Sequence, residues 1–166
     1  TYFRNDLISG YVHDQGAAML GGVGGHAGLF SNSYDLAQLM QMNLQKGFYD
    51  GKTYFKNENT ITFFAKKQVP ENRRGLGWDK PFEDGSKAGS TSYLASPDTY
   101  GHSGFTGTCV WVDPKYDLVY VFLSNRVYPD ASNNLLISQN IRTKIHDVVY
   151  RSLEKWDLEI VKKYSN

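Results

Sequence analysis

The sequence predicts an α+β fold in which helices come first, an antiparallel sheet of about three strands follows, and a long C-terminal helix covers the sheet. Three patterns predict it. Leu36, Leu39, Met40 and Leu44 recur at helical spacing. Thr108–Val112 and Leu118–Leu123 are β-rich runs separated by Asp113-Pro114-Lys115-Tyr116-Asp117, which reads as a hairpin. Beyond Pro129, the residues Ile137, Ile141, Ile145, Val148 or Val149, and Leu153 trace one face of a long helix.

Residues 1–13 are polar and aromatic without a sustained period, and Asp14–Leu20 allows one short helical turn. The loop Gly21-Gly22-Val23-Gly24-Gly25-His26-Ala27-Gly28 is so rich in glycine that its backbone needs positive φ or a close approach. Ser31 or Ser33 is the expected N-cap of the first long helix, Asp35 falls in its first turn, and Gly47 stops it. Asp50-Gly51 signals a tight turn. Asn57 with Glu58 is placed to cap a second short helix through Ile61, Phe63 and Phe64, and residues 66–99 read as loop interrupted by Leu76-Gly77-Trp78. The run Leu118-Val119-Tyr120-Val121-Phe122-Leu123 is too apolar for a one-sided strand, so it is expected to be central and covered on both faces. Ser132 or Asn133 is the expected cap of the terminal helix.

The 166 residues suit one domain or part of one. Hydrophobic residues make up 40% and charged residues 21%, which excludes a disordered chain and a membrane-embedded one. No apolar stretch approaches the length of about 18 residues that a spanning helix needs. Eighteen Lys and Arg against 17 Asp and Glu give a net charge of +1, which offers no basic footprint for nucleic acid. The lone Cys109 excludes an internal disulfide and a Cys-rich zinc site. The opening Thr1-Tyr2-Phe3-Arg4 reads as the middle of a longer chain.

The richest window for chemistry is Tyr100-Gly101-His102-Ser103-Gly104-Phe105-Thr106-Gly107-Thr108. It sets an imidazole, a hydroxyl and a bare backbone just before a strand. It does not make Ser103 the nucleophile of an elbow: G-x-S-x-G needs glycine where Phe105 stands, and a helix rather than a strand after it. Ser152-Leu153-Glu154-Lys155 matches S-x-x-K and Ser132-Asn133-Asn134 matches S-x-N, but short matches of this kind arise by chance, and these read as helix surface and helix cap. His13, Asp14, His26 and His102 fit no zinc spacing, so no metal site is expected.

Gly101-His102-Ser103-Gly104, a hairpin, then Ser124-Asn125-Arg126-Val127-Tyr128-Pro129 and a long helix resemble the C-terminal part of the serine β-lactamase and penicillin-binding-protein superfamily, which includes class C β-lactamases, D-alanyl-D-alanine carboxypeptidases and esterases. Gly28-Leu29-Phe30-Ser31 followed by Asp35-Leu36 matches a second stretch of that pattern. Val12-His13-Asp14 with the segment Gly21 to Phe30 also resembles the lactamase-like region attached to family 3 glycoside hydrolases of the β-N-acetylglucosaminidase type. The resemblance implies that residues 1–166 are the C-terminal portion of one such domain, with a helical and loop part at 1–99 and the edge strand, hairpin and terminal helix at 100–166. It places the nucleophile (S-x-x-K) and the Y-x-N motif upstream of this region.

By the same resemblance His102-Ser103-Gly104 is the family's edge-strand motif. Phe105 then donates its N–H to an oxyanion hole, and His102 and Ser103 face the substrate and its proton network. Thr106, Asn125 and Arg126 fall on the substrate-binding side. Where class C enzymes carry Asn and Arg to grip a substrate carboxylate, this sequence has Asp130 and Asn133, and Arg126 is the candidate to replace the lost charge. The implied function is the C-terminal part of a periplasmic or cell-surface serine hydrolase that works through an acyl-enzyme on cell-wall peptide, ester or β-lactam substrates, inactive as an isolated chain and needing no cofactor. The alternative is a non-catalytic lactamase-like module that binds cell-wall material or braces a glycosidase domain. The expected partners are the remainder of the parent domain and, through an exposed sheet edge, a second copy.

Overall fold

The computed structural model describes Arg4 and residues 6–83 and 89–164, in two units that divide between Asn32 and Ser33. In the first unit α1 (Gln15–Met19) starts at Asp14, whose Oδ1 accepts the Ala17 N–H at 2.8 Å. His26 Nε2 meets the same oxygen at 2.9 Å, which ties the glycine-rich loop back to the helix start. The Ala17 N–H first, and then His26, hold the Asp14 carboxyl below its ordinary range. Gly28 shows why this loop needs glycine. Its φ is +121°, and a Cβ there would run into the Gly22 carbonyl.

The second unit opens with α2 (Ser33–Leu44), which buries Met40 and ends where Gly47, at φ +92°, donates its N–H to the Met42 carbonyl. Strands β1 (Phe48–Tyr49) and β2 (Lys52–Thr53) flank Asp50-Gly51, both at positive φ, as a type I′ turn requires. Helix α3 (Asn59–Ala65) buries Ile61 and Ala65, and the Asn57 side chain accepts the Asn59 N–H at its entrance.

The main sheet is antiparallel in the order β3 (Tyr100–Ser103), β4 (Cys109–Asp113), β5 (Leu118–Phe122). Among the described residues the central place therefore belongs to β4, and β5 has a partner on one side only, where the sequence reading expected it to be central. The apolarity of β5 has another cause: its alternate residues feed two different cores. Val119 packs with Tyr100, Val112, Met40, Ile61 and Ala65, whereas Tyr120 and Phe122 pack with Cys109, Trp111 and Val149.

The terminal helix also departs from expectation. It breaks into α4 (Leu135–Ser138) and α5 (Ile141–Tyr164), with Asn140 between them at φ +51°. The face of α5 that is buried is Thr143, His146 and Tyr150, while Ile145 and Val148 are 42% and 62% exposed. The reason is a buried carboxylate on the sheet. Asp113 accepts hydrogen bonds from Tyr150 Oη at 2.6 Å, Ser96 Oγ at 2.6 Å, Ser96 N at 2.9 Å and Lys115 N at 3.0 Å. Burial alone would raise its pKa, but the bonds from Ser96 and Tyr150 outweigh that and hold it below the ordinary value. One turn before Tyr150, His146 stacks on Tyr120 at 4.1 Å and accepts the Ser92 N–H at Nδ1.

Two outcomes follow for stability. Tyr150→Phe removes a hydrogen bond to a buried charge and should cost about 1.5–3 kcal/mol in urea denaturation, whereas Val148→Ala on the exposed face should stay within about 0.5 kcal/mol; equal stability of Tyr150→Phe and wild type would contradict this. Burial pushes the His146 pKa down to about 4, against some opposition from Asp113. The unfolded chain, with an ordinary histidine near 6.5, then binds a proton that the folded chain refuses. Stability should fall as pH drops from about 6.5 to 4, by up to about 1.4 kcal/mol per unit. The stability gap between wild type and His146→Gln should therefore narrow between pH 7 and pH 5, and a gap independent of pH would refute the assignment.

Candidate functional site

The site is built on the outer edge of β3. Gly101 turns its N–H and C=O to this edge and pairs both with Asp79, at 3.0 and 2.7 Å. Glycine is needed at this register because a Cβ would strike the Val110 carbonyl and lie 2.7 Å from the Trp111 ring. Strand alternation brings the next outward-facing backbone pair to Ser103. Among the described residues no strand pairs with β3 there. The strand edge is closed as far as Gly101 and open beyond it.

The same alternation sends neighbouring side chains to opposite faces. His102 lies opposite Val110, on the face that holds Tyr100 and Val112, and is exposed. Ser103 lies opposite Cys109, on the α5 face, and is half-buried. The two residues thus flank the open edge instead of sharing one surface. His102 Nδ1 stands 2.9 Å from the Ser103 carbonyl. A carbonyl only accepts, so the neutral ring carries its proton on Nδ1 and offers Nε2 as an acceptor.

Beyond Ser103 the chain reverses tightly. Gly104 N–H donates to the Thr108 carbonyl at 2.8 Å, and Gly107 N–H donates to the Gly104 carbonyl at 3.0 Å. Gly107 has φ +105°, and a Cβ there would meet Ser124 Oγ and lie 2.7 Å from Leu136. Phe105, at the tip, is 66% exposed. The Thr106 carbonyl accepts the Arg126 N–H at 2.9 Å. The Arg126 guanidinium donates to the carbonyls of Phe105 at 2.7 Å, Ala131 at 3.1 Å and Asn133 at 3.3 Å, and lies 4.4 Å over the Phe105 ring. It straps the turn to the loop before α4. Asn125 is exposed beside it. Asp130 and Asn133 are engaged locally: their side chains accept the N–H groups of Ser132 and Leu135, and the Ser132 contacts hold the Asp130 carboxyl low.

On the α5 side, Ser103 opens on a cavity of about 200 Å³ whose lining includes Arg73, Arg74, Asp79, Ser90, Arg142 and Thr143. None of these was singled out in the sequence; the one local cue was the adjacent pair Arg73-Arg74 ahead of Gly75-Leu76-Gly77-Trp78. The other nucleophile candidates are quiet. Ser152 is exposed on α5 with its hydroxyl bonded to the Val148 carbonyl at 2.8 Å. Burial pushes the Cys109 thiol up to about 11, which suppresses the reactive thiolate. Among the described residues no group of three or more His, Cys, Asp or Glu is arranged to hold a metal.

Residues 4–140 match the family model described as Beta-lactamase. A protein of Salmonella typhi named "Putative D-alanyl-D-alanine carboxypeptidase" is 40% identical over 131 residues, which are 78% of this chain and 30% of that protein. Proteins of the same name from Salmonella paratyphi B and Salmonella newport are 39% identical over the same length. The chain thus spans about 30% of the length of these relatives.

The seating of β3 is testable through Gly101. Gly101→Ala should cost about 1–3 kcal/mol through overpacking against Val110 and Trp111, while Gly25→Ala, where a Cβ meets nothing within 4 Å, should stay within about 0.5 kcal/mol. Thermal denaturation measures both, and equal midpoints would contradict the close approach of β3 to β4.

Proposed function

The chain belongs to the beta-lactamase family, and on that premise we propose that it supplies the edge strand of the acyl-transfer site of a serine hydrolase. The substrates would be cell-wall D-alanyl peptides or related esters and β-lactams. The observation that carries this reading is the edge of β3, closed by Asp79 at Gly101 and open at Ser103, with an imidazole on one side of the opening and a cationic cavity on the other. An extended acyl chain can lie along such an edge as an added strand.

In this reading the attacking hydroxyl comes from the S-x-x-K segment that the resemblance places N-terminal to this region. Its oxygen bonds to the substrate carbonyl carbon, and its proton passes to a neighbouring base. The Phe105 N–H stabilises the oxyanion, and Gly104 keeps the approach to it clear of a side chain. When the tetrahedral adduct collapses, the bond to the leaving amine or alkoxide breaks and that group takes up a proton; water later releases the acyl group by the same steps. His102, with Nε2 as acceptor, polarises or relays a proton beside the nucleophile. Thr106 and Asn125 border the substrate, and Arg126 positions the Phe105 turn through its three carbonyl contacts. The names of the relatives support a carboxypeptidase, and substrates of this class would be met in the periplasm or at the cell surface.

Single-turnover acylation of the full-length protein with an ester reporter tests the reading. His102→Ala should lower the rate by about 10²–10⁴-fold with an unchanged circular dichroism spectrum. Gly104→Val should cost at least the roughly 10²–10³-fold of a lost oxyanion donor. This chain alone should take no adduct on Ser103 or Ser152 from a fluorophosphonate. Near-wild-type acylation in both variants would make the strand scaffold and leave a non-catalytic binding module.

A further inference from the structure

A second hollow lies where the end of α2, the β1–β2 turn and the approach to α3 meet, and it shares no lining residue with the cavity beside Ser103. It encloses about 560 Å³, within the roughly 300–1,000 Å³ of small-ligand sites. Its aromatic wall is held in place. Phe55 seats on Gly47, where a Cβ would lie 2.8 Å from the ring and 2.9 Å from the Phe55 Cβ, and the side chain stays 38% exposed. Phe48 borders the same hollow and is 49% exposed. Gly47 therefore serves twice, as the stop of α2 and as the floor that admits the Phe55 ring.

Around the rings stand polar groups with bonding capacity to spare. Among the described residues the side-chain amides of Gln45 and Asn59 make no hydrogen bond, and Lys46 and Lys56 have no acidic partner. Glu58 is the single acid among the described residues of the lining, against these two lysines. Lys46 stands at φ +55°, a backbone region that glycine or asparagine enters more easily than lysine. A lysine here brings its charge to the hollow at the cost of backbone strain. The lining thus joins two aromatic side chains, amides that both donate and accept, and a net positive charge.

Sugars match that combination. A pyranose offers an apolar C–H face to an aromatic ring and, at its rim, hydroxyls that donate and accept as the amides do. The lysines add a preference for a carboxylate on the sugar. A wholly apolar ligand would leave the amides and lysines unpaired, and a nucleic-acid strand would need a wider basic surface than a net charge of +1 supplies. We propose that the hollow between Gln45 and Asn59 binds a segment of N-acetylated, carboxylate-bearing glycan. Phe48 and Phe55 pack against the sugar faces, Gln45 and Asn59 bond hydroxyl and acetamido groups, and Lys46 and Lys56 meet the carboxylate. The proposal rests on the hydrolase reading only for the source of the glycan, the cell-wall polysaccharide that carries D-alanyl peptides, and gives the protein a hold on that polymer apart from β3.

The test is titration calorimetry on the full-length protein with three probes: a peptide-free tetrasaccharide of alternating N-acetylglucosamine and N-acetylmuramic acid, the uncharged N-acetylglucosamine tetramer, and uridine monophosphate. The acidic glycan should bind more tightly than the uncharged one, by at least about threefold. Lys46→Gln and Lys56→Gln should each weaken the acidic glycan about threefold and leave the uncharged one within about twofold. Phe55→Leu, which keeps apolar bulk on Gly47, should weaken both glycans about tenfold. Lys144→Gln, exposed on α5, should change neither. Absence of glycan binding, equal binding of the two glycans, or insensitivity to the lysine substitutions or to Phe55→Leu would overturn the proposal. Tighter binding of uridine monophosphate than of the acidic glycan would overturn it in favour of a nucleotide site. None of the probes holds a peptide, ester or β-lactam to cleave, so these failures stand apart from failure of the hydrolase reading.

Discussion

The arrangement of the candidate site depends on one short contact, the two-bond bridge between Asp79 and Gly101. Its backbone half closes the outer edge of β3 up to Gly101, so that the opening begins at Ser103 and not earlier. Its side-chain half captures Arg73 through an ion pair of 2.8 Å, which fixes the charge of the neighbouring cavity. A single residue thereby sets both where the strand edge opens and how an arginine of the neighbouring cavity is held. The bridge is possible only because residue 101 is glycine, since a side chain there would meet β4.

The sheet that carries this edge is held from behind by polar packing rather than by an apolar stripe. Asp113, at the end of the central strand, gathers donors from Ser96, Lys115 and Tyr150, and so joins a loop, a hairpin and the long helix at one carboxylate. His146 and Thr143 continue the same helical face, through Tyr120 and the Gly89 carbonyl. A buried charge with all these bonds is costly to break, and it pins the rotation of α5. That rotation is what brings Arg142 and Thr143 to the cavity beside Ser103.

Much of the architecture was legible from periodicity and turn chemistry. The span of α2, the short turn of helix after Asp14, the Asp50-Gly51 turn and the hairpin around residues 113–117 all appear where local rules place them, because each is decided among near neighbours. Yet α2 buries Met40 and Asn43, while Leu39, in the expected stripe, is 47% exposed. The order of the strands was not legible: both faces of β5 are covered, and apolarity reports covering, not position in the sheet. The buried face of α5 escaped for a related reason. Ile145 and Val148 carry the hydrophobic pattern, but the partner waiting on the sheet is a carboxylate, and only Tyr150 and its neighbours can satisfy it. In the site, the Gly101 to Phe105 window stood out as motif and turn. The split of His102 and Ser103 onto opposite faces follows from strand parity once the register is known. Arg74, Asp79 and Arg142 are brought together from separate segments, and nothing local announces that.

The central claim is that the open edge of β3 is where an acyl group is held. A crystal structure of the full-length protein trapped with a β-lactam or a boronic acid tests it directly. The account predicts a ligand oxygen about 2.7–3.1 Å from the Phe105 nitrogen, with the ligand backbone running along β3 past Ser103. A trapped ligand seated elsewhere, with the β3 edge untouched, would contradict it.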